Sequence, residues 1–330
     1  MPDQISFSLL STHARYAAHA AEACGYAFRS LDGADGYLFE VRDGARRALF
    51  ACGAGSPYAL NDARGASLAR DKVFAAAALR EARVPVLPGQ SFFVTKRWSE
   101  MRSPGREPED AIAYARTVSY PLFCKPISAS NGLYAEPIAD FAEFEDYLVR
   151  VAAEHFAILV QPFVRAAEHR VFMLNGEPLF SYRKQLPSVT GDGRTPLSVL
   201  VAALPREHGG PAVRWRALAA DGGFLDPEIT PAAGHKVSLI GPANRAAGGG
   251  AIDVRDGAPA PLARIARDAT AVLGLRLSGV DVFDISPRRD LSALQVIEVN
   301  SNPMIKTLEE HGRWDLIERV WRANFDAALA

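Results

Sequence analysis

Two stretches decide the fold: Gly279-Val280-Asp281-Val282-Phe283-Asp284 and Gln295-Val296-Ile297-Glu298-Val299-Asn300-Ser301-Asn302-Pro303. In each, acidic or amide residues interrupt an otherwise apolar run, the pattern of a buried strand that carries chemistry on one face. Side chains two apart on a strand share a face, so Glu298 and Asn300 point the same way. With Asp281 on a neighbouring strand, three oxygen donors meet on one patch. Magnesium takes oxygen ligands, usually one or two carboxylates together with substrate phosphates. The patch therefore reads as a site for a metal and a nucleotide.

The rest of the chain narrows the class. Its 330 residues suffice for two or three lobes around a large core. A formal net charge of −1 gives no reason to expect nucleic acid or an anionic membrane as partner. No apolar run approaches the roughly 18 residues of a membrane span. The opening Met1-Pro2-Asp3-Gln4-Ile5-Ser6-Phe7 lacks a basic segment followed by a signal-like apolar core. Cys24, Cys52 and Cys124 are widely spaced with no CxxC pair, so they read as free thiols and the expected location is cytoplasmic. The histidines show no HExxH spacing, and there is no GxSxG and no Walker loop. Gly248-Gly249-Gly250 lacks the spacing of a dinucleotide fingerprint.

The coarse pattern is α/β. Residues 1–70 read as a small α/β unit with a strand at 5–10, a helix at 14–24 and a strand at 26–31. A hairpin, 37–41 with 47–51, turns at Asp43-Gly44. A helix over 67–82 presents Val73, Ala76, Ala77 and Leu79 as its apolar face and stops before Pro85 and Pro88. A lobe over 71–160 continues with a strand at 91–95, a helix at 109–118, a strand at 122–126, a helix at 141–153 and a strand at 156–161. The remainder, 161–330, opens with strands 169–174 and 177–183 around Asn175-Gly176, the strongest two-residue hairpin signal in the chain. A helix at 196–204 precedes a Pro-, Gly- and charge-rich insertion at about 205–234. Strands at 236–240 and 251–254 and a helix at 262–273 lead to the two acidic strands.

Three further segments carry chemistry. Lys125 ends the apolar run from Tyr120 and precedes Ser128, Ala129, Ser130, Asn131 and Gly132. An ammonium beside small residues, whose backbone N–H groups an anion can approach, suits phosphate; a surface strand end is the plain alternative. Gln161-Pro162-Phe163-Val164 follows a buried strand, and its proline cannot donate to a sheet ladder, which leaves backbone groups for a flat base. Glu168 beyond it could accept from ribose hydroxyls. The adjacent cations Arg183 and Lys184, followed by Gly191-Asp192-Gly193, suggest an anion pocket with a flexible wall.

Taken together, residues ~70 to 306 resemble the ATP-grasp superfamily, with the closest likeness to the ATP-grasp domain of cyanophycin synthetase and bifunctional glutathione synthetase. The anchors occur in the family's order. They are Ala69-Arg70-Asp71-Lys72, Lys125 with its small-residue loop, Val160-Gln161 with Glu168-His169-Arg170, Val189-Thr190-Gly191-Asp192-Gly193-Arg194, Ala243-Asn244, Gly279-Val280-Asp281 and Glu298-Val299-Asn300. Any one is weak, and their co-linearity is what is specific.

The resemblance implies an ATP-grasp fold, two α/β lobes clamping ATP behind a small N-terminal α/β domain. It implies ATP and Mg2+ as cofactors, with Mn2+ as a substitute. Lys72, Lys125, Ser128, Ser130, Asn131 and Gly132 would then hold phosphates, Gln161, Phe163 and Val164 the adenine, and Glu168 the ribose. Asp281, Glu298 and Asn300 would hold the metal, with Asn300 also at the nucleotide. Arg183 matches a basic position near the transferred phosphate. Relatives have an arginine where this chain has Ile240-Gly241-Pro242, and Arg245 is the nearest replacement. The implied reaction joins a carboxylate to an amine of amino acids or small peptides through an acylphosphate, releasing ADP and phosphate. The alternatives are an ATP-grasp kinase and a non-catalytic ATP-binding interaction protein. The partners expected are small-molecule substrates, with neither nucleic acid nor membrane, and a homodimer is an allowed assembly.

Overall fold

The computed structural model describes residues 10–53, 55–129, 132–204, 214–219, 223–241 and 249–330. Helix α1 (Thr12–Cys24) starts where the Ser11 hydroxyl accepts from the Ala14 amide and ends at Gly25 in the left-handed region. Strands β1 (Ala27–Ser30), β2 (Leu38–Asp43) and β3 (Arg46–Ala51) form an antiparallel meander; its second hairpin turns at Gly44-Ala45, one residue beyond the expected Asp43-Gly44, because Asp43 still pairs with Arg46. Residues 5–9 of the first expected strand lie outside the described residues.

This unit does not bury its apolar face alone. Phe39, Val41 and Phe50 pack with Tyr16 of α1 and with Trp321 and Phe325 of the last helix, which spans Trp314–Leu329. The Trp321 ring meets those of Phe39, Phe50, Tyr58 and Phe325 at centroid distances of 5.7–6.2 Å. The first and last segments of the described chain therefore share one core.

The single helix expected at 67–82 is two: α2 (Ala63–Arg70) and α3 (Lys72–Glu81). Between them Asp71 is extended, and its carboxylate accepts from the amides of Val73 and Phe74 at 2.8 and 3.1 Å. An aspartate that caps competes with one that continues a helix. The break places Lys72 in the first turn of α3. Helix α3 ends at Glu81, ahead of both prolines, with Arg83 at φ 59°. Beyond it, Val86 pairs in parallel with Val296.

Two large sheets make up most of the remaining chain. The first contains β4 (Gln90–Phe93), β5 (Leu122–Pro126), β6 (Glu136–Ile138) and β7 (Ala157–Pro162) in the order β4-β7-β5-β6. Helices α4 (Pro108–Ala115) and α5 (Phe141–Ala152) cover one face, over Phe92, Cys124, Ile158 and Val160. Alternation and the pairing Lys125↔Leu159 put Lys125 and Gln161 on the uncovered face.

The second sheet runs β13-β9-β8-β14-β15 and is antiparallel throughout; its strands are β8 (Ala167–Leu174), β9 (Glu177–Gln185), β13 (Gly250–Asp256), β14 (Leu277–Asp284) and β15 (Leu294–Asn300). Helix α7 (Ala260–Val272) covers one face over Val171, Met173, Val280 and Val282. On the other face Phe172, Phe180 and Leu277 join the core shared by the chain ends, and polar residues take over beyond them. A minor sheet, β10 (Ser188–Thr190), β11 (Arg216–Ala217) and β12 (Lys236–Ile240), packs with α6 (Leu197–Ala202) around Val189, Leu197, Val237 and Leu239. Helix α8 (Lys306–Glu310) precedes α9 (Trp314–Leu329). The 205–213 and 220–222 portions of the expected insertion lie outside the described residues.

The hairpin β8–β9 turns at Asn175 and Gly176, both at positive φ (50° and 83°) as a type I′ turn requires. Its register then slips: Met173 faces Pro178 but Phe172 faces Phe180, leaving Leu179 as a bulged residue. Among the described residues no helix is long and apolar enough to cross a membrane.

Because Trp321 has no exposed surface and joins both chain ends, Trp321→Ala is expected to cost about 3–5 kcal/mol. Urea unfolding followed by circular dichroism reads this as a lower midpoint at unchanged slope.

Candidate functional site

The uncovered faces of the two large sheets meet at a cluster of charge. Asp281 of β14 and Glu298 of β15 stand directly opposite one another, and Arg170 of β8 opposes Asp281 on its other side. The Arg170 guanidinium grips Asp281 with two parallel bonds, Nε to Oδ1 at 2.7 Å and Nη2 to Oδ2 at 2.5 Å. It reaches there across Gly279, where a Cβ would meet Pro303 at 2.9 Å and Arg170 Nε at 3.6 Å. Lys184 of β9 bridges Asp281 at 3.0 Å and donates a short bond to Glu168. The Asn300 carboxamide donates to Glu298 Oε1 at 3.2 Å and lies 3.5 Å from Asp281 Oδ2.

Two lysines arrive from the other side. Lys72, at the head of α3, donates to the Ala129 carbonyl at 2.9 Å and lies 3.9 Å from Glu298 Oε2. Lys125 of β5 is buried and lies 4.0 Å from the same oxygen. Four cations thus surround three carboxylates, leaving a positive excess suited to an anionic ligand.

Burial alone would push the Glu298 carboxyl up, but Lys72, Lys125, Lys184 and Arg170 hold it well below the usual carboxylate range. Glu168 moves the other way: burial raises it, Lys184 opposes and Asp281 adds to the rise. Burial pulls Lys184 and Arg170 down, yet their anionic partners together outweigh it, Asp281 with Glu168 for Lys184 and Asp281 with Tyr182 and Glu298 for Arg170, and both stay above their ordinary values. Lys125 is depressed, chiefly by burial, against the attraction of Glu298.

Further along the same face of the first sheet, Gln161 is buried and its Nε2 lies 3.4 Å from the carbonyls of Leu87 and Pro88. Its Oε1 is buried without a hydrogen-bond partner. The Phe163 amide, expected to be available to a base, is committed to the Pro121 carbonyl at 3.3 Å, and Val164 is half-buried beside it. Ser128 is exposed and Gly132 half-buried, at the two described ends of the small-residue loop. Ser130, Asn131 and Arg245 lie outside the described residues, as does the Ala243-Asn244 segment.

One expectation needs correction. Arg183 does not share the face of the cluster: it faces His169 in register, is half-exposed and pairs with Asp253 at 3.2 Å. Continued without a bulge, the Asn175-Gly176 turn would set Arg183 across from Glu168. The extra residue Leu179 shifts β9 by one, and a one-residue shift moves every side chain to the opposite face. Lys184 takes the inward position instead. Arg170 was also missed as a site residue, although its spacing of two from Glu168 put both on one face.

The residues suit magnesium in type. Glu298 Oε2 has its nearest cations beyond hydrogen-bond distance, and Asn300 offers a second oxygen ligand. Asp281 is different, because Arg170 and Lys184 occupy its carboxylate. Among the described residues no group of three or more His, Cys, Asp or Glu is arranged to hold a metal. The patch thus matches an ion held by one or two side chains and completed by substrate phosphates.

Comparison with known proteins agrees with this architecture. No protein-family model matches the chain. Over 255 residues, 71% of its length, it is 28% identical to the glutathione biosynthesis bifunctional protein GshAB of Streptococcus mutans, and the match spans 32% of that protein. It is 26% identical over 258 residues to the cyanophycin synthetase of Geminocystis herdmanii, covering 72% of this chain and 28% of that one. The chain thus spans about a third of these relatives. In structure it is similar to a bifunctional glutathione synthetase from Pasteurella multocida, with a TM-score of 0.50 and 18% identity over 96% of this chain and 45% of the other. The α/β fold is therefore of the ATP-grasp type, and the resemblance to ATP-grasp ligases holds in sequence as well as in fold.

The opposite faces of Arg183 and Lys184 set up a comparison. Lys184→Ala is expected to weaken binding of a non-hydrolysable ATP analogue by at least about tenfold, since a hydrogen bond to a charged group contributes about 1.5–3 kcal/mol. Arg183→Ala, which breaks an exposed pair, should stay within about twofold of wild type. Isothermal titration calorimetry reads both.

Proposed function

We propose that this chain, an ATP-grasp ligase by resemblance, is an ATP-dependent carboxylate–amine ligase that joins amino acids or small peptides. The observation that carries the reading is the convergence of Lys72 from α3, Lys125 from the four-stranded sheet, and Arg170 and Lys184 from the five-stranded sheet around Asp281 and Glu298. Residues 71–160 and 161–330 would form the two lobes, with 1–70 as the N-terminal domain.

In this reading a substrate carboxylate oxygen attacks the γ-phosphorus of ATP, the bond to ADP breaks, and an acylphosphate forms. An amine then attacks the acyl carbon, phosphate leaves with the former carboxylate oxygen, and the amine's proton passes to solvent. Phosphoryl transfer needs positioning and charge neutralisation more than covalent help. Lys72 and Lys125 supply that charge on the phosphates. Arg170 and Lys184, now held by Asp281 and Glu168, turn toward the transferred group. Gln161, its Nε2 tied to backbone, presents Oε1 as an acceptor for the adenine amino group. Glu168 serves the ribose. Mg2+, held by Glu298 and Asn300 with Asp281 joining as its cations turn to phosphate, would neutralise and orient the transferring group.

The deciding experiment incubates the protein with ATP, magnesium and paired amino acids, following ADP, phosphate and new amides by mass spectrometry. A ligase needs the amine co-substrate and releases phosphate, whereas a kinase does neither. ADP formation with no panel member would defeat the proposal. Lys125→Ala and Glu298→Ala are each expected to abolish turnover while circular dichroism stays unchanged.

Because burial depresses Lys125, its ammonium is lost at lower pH than an ordinary lysine's. Nucleotide affinity of the free protein should accordingly fall early on the alkaline side. Lys125→Arg, which stays charged, should move that fall to higher pH in a binding titration.

A further inference from the structure

The ladder between β14 and β15 stops at Gly279↔Asn300, just where the candidate phosphate and metal residues end. The side chain of Asn61 continues it. Its Oδ1 accepts from the amides of Arg276 and Leu277, both at 3.0 Å, and its Nδ2 donates to the carbonyls of Leu277 and Ser301 at 2.8 and 3.0 Å. Two accepted and two donated bonds use the full capacity of a carboxamide. One side chain thus ties the start of β14 to the residue after Asn300.

The segment bearing Asn61 has neither helix nor strand, yet it is held from three directions. Asn324 of α9 is fully buried and takes both the Ala59 amide at 2.6 Å and the Pro57 carbonyl at 2.9 Å. The Tyr58 hydroxyl donates to the Pro303 carbonyl at 3.2 Å. Asn61 holds the strand ends and is followed directly by Asp62, the N-cap of α2, from which the chain runs to Lys72. Lys72 and Asn300 both neighbour Glu298, so Asn61 links the two arms of the site through one rigid contact.

We propose that Asn61 is a positioning residue: its carboxamide extends the β14–β15 pairing past its last ladder pair and so fixes Asn300, and with it the magnesium–phosphate patch, from the N-terminal unit. The proposal rests on the ligase reading insofar as that patch receives a magnesium nucleotide. The strap also gives the N-terminal unit a part in the site.

The test uses Asn61→Ala, with Asn324→Ala as the control that loosens the other end of the strap. In the unliganded protein, hydrogen–deuterium exchange over residues 298–303 is expected to accelerate in Asn61→Ala and to remain near wild type in Asn324→Ala. Calorimetry with a non-hydrolysable ATP analogue should then show magnesium-dependent binding weakened about tenfold in Asn61→Ala, the scale of an outer-shell partner, with binding in EDTA unchanged. Asn324→Ala should lower the melting temperature and alter neither affinity. Wild-type exchange over 298–303 in Asn61→Ala overturns the proposal, and so does an equal loss of magnesium-dependent binding in both variants. Should Asn61→Ala not fold, Asn61→Asp keeps the two accepted bonds, loses the donated ones and is expected to show the same acceleration. A wild-type chain that binds no magnesium nucleotide sinks the ligase reading, while the exchange result still upholds or overturns the hold of Asn61 on Asn300.

Discussion

Two carboxylates set face to face on adjacent strands repel one another, and this molecule places the buried Asp281 opposite the half-buried Glu298. Such a pair persists only if cations are brought to it, and they come from both large sheets and from helix α3. Arg170 and Lys184 lie on the sheet of the carboxylates, while Lys72 and Lys125 reach over from the other side. The mutual approach of the sheets is thus tied to the same charges that suit the cleft to a nucleotide. Buried ion pairs add little net stability because desolvation offsets most of the attraction. In the proposed reaction their retention leaves them ready to exchange partners, the cations for phosphate and the carboxylates for metal.

The frame behind this cluster is apolar and comes from distant parts of the chain. Helix α7 packs one face of the five-stranded sheet, and the N-terminal meander with the last helix packs part of the other. The polar end of that second face is left for the site. A sheet buried over half of one face and chemically active over the other half needs its strand ends held firmly. Gly279 allows Arg170 and Pro303 to crowd against β14, and the 57–61 strap supports the turn beyond Asn300.

A single bulged residue shows how narrowly the chemistry is specified. Arg183 and Lys184 are neighbours of the same charge, and a regular hairpin from Asn175-Gly176 would turn the arginine inward. Leu179, inserted without a partner on β8, reverses the choice. The exposed Arg183–Asp253 pair and the half-buried Lys184–Glu168 pair result from that one extra residue. A lysine in the inner position is a compact point charge and not a planar fork, which suits contact with several oxygens in turn.

The association of Lys125 with Asp281, Glu298 and Asn300 was implied only by the resemblance to the ATP-grasp superfamily. Period-two alternation and glycine-containing turns were enough, in the amino-acid order alone, to identify the acidic strands, the β8–β9 hairpin and the α/β class. These features are local or recur at a fixed spacing, so they survive without knowledge of the fold. Other features depended on the folded chain. The break at Asp71 arises from a cap competing with helix continuation, and both readings fit the same residues. The inward turn of Lys184 needs the bulge, and a bulge leaves no mark in a sequence that continues to alternate. The grip of Arg170 on Asp281 and the four bonds of Asn61 join residues more than a hundred positions apart. Such contacts exist only once the two sheets, the strap and the last helix have packed, because it is packing that decides which backbone groups are left at a strand end for a side chain to complete.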